Sequence, residues 1–124
     1  MSKPLTRQIL ERARDLIADK NHWCRRSLAK DIGGRQVDPW DPAVMRRCAY
    51  GALIAAAFEL VADSKQARDL ADAVAKEIHG SSWLITTNDI GGHGLVLALF
   101  DKCSPTARWR EANRDRWEMF VDRR

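Results

Sequence analysis

The chain has 124 residues, 45% of them apolar and 31% charged, a size and balance that suit one globular core and exclude a disordered or low-complexity chain. Its longest nearly apolar run, Cys48 to Leu60, carries Glu59 and falls short of the roughly 20 residues that cross a bilayer, so no membrane span is expected. The formal net charge of +4 is unevenly placed, with 8 basic against 3 acidic side chains over residues 1–30 and 4 against 7 over residues 48–103.

Leu5, Ile9, Leu10, Ala13, Leu16 and Ile17 recur at steps of three to four, which predicts a first helix over Pro4 to Lys20. Leu28 and Ile32, one turn apart before Gly33-Gly34, predict a short second helix. Residues 33–42, with two glycines and two prolines, read as a loop. Asp41 before Pro42 is a strong helix start, so the third helix is expected over residues 42–62. That helix is apolar nearly all round and rich in alanine, which marks it as central and buried, with Gly51 serving close helix packing. Asp63 and Ser64 cap a fourth helix carrying Ala67, Leu70, Ala71, Val74 and Ile78 inward, up to Gly80. Ser81 to Gly94 reads as a polar loop, Leu95 to Phe100 as the start of a fifth helix, and Ser104-Pro105 as the cap of a sixth. The fold class expected is all-α, five to six helices around the buried helix 42–62. The whole chain, 1–124, reads as a single domain with a core at 4–103 and a C-terminal helix at 105–123.

The opening Met1-Ser2-Lys3-Pro4 carries no apolar signal segment. The widely spaced Cys24, Cys48 and Cys103 suit reduced thiols, and together these point to the cytoplasm.

Three short pieces stand out: Trp23-Cys24, Cys48-Ala49-Tyr50-Gly51-Ala52-Leu53, and Asn88-Asp89 ahead of Val96-Leu97-Ala98-Leu99. Over residues 5–103 the chain resembles an uncharacterised bacterial and phage family, domain of unknown function family 6197. It differs in having Thr87 where the family pattern has tryptophan, and in adding a C-terminal helix rich in tryptophan and arginine. The resemblance implies a helical fold and assigns no catalytic role.

Cys48, His93 and Asn88 or Asp89 are the residue types of a thiol nucleophile, its base and an orienting group. Cys48, however, falls on the most apolar stripe of the third helix, where desolvation raises a thiol's pKa, so packing is its expected role. His22, Cys24, Cys48, His79, His93 and Cys103 are metal-ligand types without a Cys-x-x-Cys or His-x-x-x-His pair; neither a metal nor another cofactor is expected. Asn88, Asp89 and His93 form a candidate polar loop site, in which Asn88 or Asp89 capping the next helix is the simplest role and anion binding the alternative. Trp23, Trp40, Trp83, Trp109 and Trp117 are expected to pack at helix ends, each indole N–H bonded, while Trp109, Arg110, Trp117 and Phe120 make a candidate partner surface.

These features favour a non-enzymatic helical interaction or accessory module, acting through a protein partner or a homo-oligomer. The first alternative is a nucleic-acid-associated accessory protein using Arg25, Arg26, Arg46, Arg47 and the last helix, binding weakly and without sequence preference. The second is a small cysteine-dependent hydrolase using Cys48 with His93. Clustering of those arginines on one face would favour the first, and an exposed Cys48 within reach of His93 the second.

Overall fold

Helix α1 (Leu5–Ile17) forms on the predicted spacing and buries Ile9, Leu10, Ala13 and Ile17. The computed structural model describes residues 5–78 and 81–103; the expected helix over 105–123 lies outside them. After α1 a 3-10 turn spans Lys20–His22, opened by Asp19, whose carboxylate accepts the Asn21 N–H at 2.8 Å.

The short helix expected around Leu28 and Ile32 is instead strand β1 (Ala29–Asp31), paired antiparallel with β2 (Val44–Arg47). Ile32 is 87% exposed, so the spacing of Leu28 and Ile32 does not mark an inward stripe. The fold is therefore mostly helical with a two-stranded sheet, and not all-α.

The second correction concerns the central helix, which runs over Ala49–Val61 (α2) instead of 42–62. Asp41 does cap, but only a turn, its Oδ1 accepting the Ala43 N–H at 2.8 Å. The N-cap of α2 is Cys48, whose Sγ accepts the Gly51 N–H at 3.3 Å. Gly51 is needed for a reason other than helix packing: a Cβ there would lie 1.9 Å from the Leu28 carbonyl oxygen. That same carbonyl accepts the Cys48 N–H at 3.1 Å, so the strand entry is pinned against the start of α2.

From Ala49 and Gly51 through Ala57 α2 is buried, as its composition predicts. Its C-cap Ala62 adopts the left-handed region at φ 52 and closes the helix onto the Phe58 carbonyl at 2.8 Å. Helix α3 (Ser64–Ile78) starts where predicted, with Asp63 Oδ1 accepting the Gln66 N–H at 2.8 Å. The stretch expected as a loop, Ser81 to Gly94, is ordered as helix α4 (Ser81–Thr86), a π-helical turn (Thr87–Gly91) and the first residues of α5 (His93–Cys103).

Helix α2 packs between α1 and α3, and α5 returns against α1 and the π-helical turn. Ile9, Ile17, Leu53, Ile54, Leu84, Val96 and Phe100 fill the centre, each stabilising by about 1.5–3 kcal/mol relative to exposure. Bidentate ion pairs flank it: Arg12 with Glu59 joins α1 to α2, and Arg14 with Asp101 joins α1 to α5. The sheet sits at the α2 N-terminus, next to the π-helical turn, and these elements shape the site.

Candidate functional site

Asn88 lies in the π-helical turn and is 1% exposed, which makes a buried primary amide with two donors and an acceptor to satisfy. Every one of them is met. Its Oδ1 accepts the Trp23 indole N–H at 2.6 Å and the Ala49 backbone N–H at 2.8 Å. Its Nδ2 donates to the Cys24 carbonyl at 3.0 Å and to Asp89 Oδ1 at 3.1 Å. Asn88 thus does not cap α5; it ties the segment after α1, the start of α2 and the π-helical turn into one latch.

Asp89 continues the latch outward. Its Oδ1 also accepts the Arg26 backbone N–H at 2.9 Å. Arg26 is held there at φ 63, in the left-handed region that non-glycine residues seldom occupy. His93 packs against Trp23, ring centroids 5.5 Å apart, and lies 2.7 Å from the Ile17 carbonyl. A carbonyl only accepts, so Nε2 of His93 carries the proton and satisfies one of the open carbonyls at the end of α1.

Cys48 is buried where an α2 stripe position was expected to place it, although it caps the helix instead of lying inside it. Burial pushes its thiol up to about 11, against the pull of the Gly51 N–H. Among the described residues no hydrogen bond joins Cys48 to His93. Cys48 and His93 are each engaged by backbone groups, Cys48 by the Gly51 N–H and His93 by the Ile17 carbonyl. No cluster of three or more His, Cys, Asp or Glu side chains converges among the described residues.

Directly outside the latch opens a cleft of about 560 Å³, walled by Lys20, Arg25, Arg26, Lys30 and Arg46. Asn21, Trp23 and Cys24 complete the wall, so no carboxylate lines it. Among the described residues none of the five cations forms an ion pair. Lys30 and Arg46 face each other directly across the β1–β2 pair. The Arg25 guanidinium stands 5.3 Å above the Trp23 ring centroid, and Gly92, at φ 94, leaves room beside it: a Cβ there would lie 3.2 Å from Arg25 Nη2. The charges are felt at Cys24, where burial raises the thiol pKa while Lys30 and Arg46 lower it.

Of the four arginines singled out in sequence, Arg25, Arg26 and Arg46 meet in this cleft. Arg47 turns away, its Nε donating to the Pro39 carbonyl at 2.8 Å to hold the 33–42 loop. Lys20 and Lys30 were not foreseen; the only signal for Lys30 is its register opposite Arg46, which becomes visible once the strands pair. Trp109, Arg110, Trp117 and Phe120 lie outside the described residues.

Fold and site together define a small, mostly helical protein in which Trp23-Cys24, Cys48-Ala49 and Asn88-Asp89, far apart in sequence, meet in one buried latch. The chain belongs to the family of unknown function DUF6197, whose model matches residues 1–105. No curated protein and no solved structure matches it. Among the described residues no helix is long and apolar enough to cross a membrane.

Proposed function

We propose that this protein is a non-catalytic accessory module that engages an anionic partner through its basic cleft. The observation that carries this reading is the cleft wall itself: five cations, no carboxylate, and no ion pair to any of them among the described residues. Cations so grouped raise the local potential and attract a negatively charged partner. The non-catalytic reading is supported by the engagement of Asn88, His93 and Cys48 in structural contacts. Asn88 has no free donor or acceptor, His93 holds a helix end, and the Cys48 thiol stays protonated at neutral pH.

The test is elution from an immobilised sulfated polysaccharide by a salt gradient. Lys30→Glu is expected to elute at clearly lower salt than the parent chain. Lys65→Glu, the same charge change on the exposed face of α3, is expected to shift far less. Equal shifts would mean that net charge alone governs retention, and the cleft would lose its role.

A further inference from the structure

We infer that the cleft takes the phosphodiester backbone of a nucleic acid and does not read its sequence. This rests on the anion-binding reading above and names the ligand. The five cations come from three chain segments, the turn at Lys20, the bend at Arg25 and Arg26, and the paired strands carrying Lys30 and Arg46. A ligand that repeats its negative charge along its length, as a phosphodiester chain does, can meet them all.

Two features of the wall carry a cost, and an anion would relieve the first of them. Like charges placed directly opposite on an antiparallel pair destabilise it, and Lys30 and Arg46 are so placed, in a wall lined by no carboxylate. Arg26 keeps a strained left-handed backbone, fixed by Asp89, at the cleft wall. Strain of this kind concentrates at binding sites.

The wall also discriminates between ligand classes. Protein partners anchor on exposed aromatic and apolar side chains, whereas nucleic-acid interfaces are more polar and more positive. The cleft's single aromatic ring, Trp23, is 7% exposed, with Arg25 over it and His93 against it. No open ring face remains for an acidic peptide's apolar anchor, and none for a base to stack on. Recognition is left to the phosphates, which carry no sequence.

Fluorescence anisotropy with two labelled duplexes of equal length and unrelated sequence, at several salt concentrations, tests this. Both duplexes are expected to bind with the same affinity and to lose it steeply with salt. Polyglutamate of matching charge is expected to compete poorly. Arg26→Gly is expected to weaken binding about 5-fold and to lower the log–log salt slope by about 0.9, the loss of one phosphate contact. Because glycine takes φ 63 freely, the same variant should melt no lower than the parent, which separates lost binding from lost folding. Lys20→Ala, on the exposed turn, gives a second variant with the same expected loss. Polyglutamate competing as well as duplex would overturn the phosphate assignment and leave the anionic cleft standing. Inorganic pyrophosphate displacing duplex at one equivalent would reassign the cleft to small phosphates and overturn the proposal. If duplex does not bind while the sulfated polysaccharide still retains the parent chain more strongly than Lys30→Glu, the phosphodiester assignment falls and the anionic cleft stands. Parent-like binding by Arg26→Gly and Lys20→Ala would show that any duplex binding lies elsewhere.

Discussion

Two neighbouring regions use polar side chains in opposite ways. In the latch, Asn88 is sealed from water and every polar atom it carries has a partner from this chain. In the cleft, a few residues away, five cations stand without ion-paired partners among the described residues, and two of them face each other. A buried polar group left unpaired costs about 1–3 kcal/mol, whereas exposed charges lose little by waiting in solvent. The contrast gives the latch a part in folding and leaves the cleft's cations facing solvent, where the proposed anion would meet them.

The strongest way to break the contrast is to remove Asn88. Asn88→Leu strands the Trp23 indole N–H, the Ala49 N–H and the Cys24 carbonyl in a dry site. A loss of about 4 kcal/mol is expected in denaturant unfolding. Asn88→Asp keeps the acceptor but loses the donor and brings a carboxylate against Asp89, so it should fail to rescue. A loss below about 1 kcal/mol for either variant would mean that the latch does not hold the fold.

Gly51→Ala comes next. The added Cβ would meet the Leu28 backbone oxygen, which cannot rotate aside as a flexible side chain would. About 2–3 kcal/mol of stability is expected to be lost in the same unfolding experiment. Parent-like stability would show that β1 slides away from α2 at little cost.

The resemblance motifs were legible as residues, but their common purpose was not. Helices α1 and α3 follow from sequence because their apolar spacing and the Asp63 cap act locally. The start of α2 does not: Asp41-Pro42 is the stronger capping signal, yet it serves a turn, while the actual cap is a cysteine, a residue outside the usual capping set. β1 is three residues long, too short for alternation to outweigh the helical spacing of Leu28 and Ile32. Asn88 was picked out as polar and near a helix, but its partners Trp23 and Cys24 lie 65 and 64 positions upstream. No local pattern contains them.

Alkaline pH sharpens the latch side of the comparison. Cys48 has a folded-state pKa of about 11 against an ordinary 9.0, because burial disfavours its thiolate. Below the ordinary value the thiol is protonated in both states and this contribution to stability is fully present. As pH rises from 9.0 towards about 11 the unfolded chain releases a proton that the folded chain retains, so stability falls. The slope from this one group is at most about 1.4 kcal/mol per pH unit. Cys48→Ala should reduce the slope in unfolding curves taken across that window, and an unchanged slope would place the titration at other groups, such as Tyr50, whose pKa is also raised by burial. The native thiol should also react with a maleimide far more slowly than in the unfolded chain.

The smallest effect bears on the cleft and is the most specific. Lys30 and Arg46 are direct cross-strand partners, so reversing either charge should turn a repulsion into an attraction. Arg46→Glu and Lys30→Glu are each expected to raise stability by about 0.5 kcal/mol, the usual scale of such a pair. The double variant places two acids opposite each other and should fall back close to the parent. This pattern, two gains that cancel when combined, does not arise from lost packing of the aliphatic stems, which would lower stability in all three variants. Nor does it follow binding: both single variants should hold polyanions less well while folding better. If either single charge reversal destabilises the chain, the facing cations are not in conflict, and the cleft loses one of the two features that mark it as built for an anion.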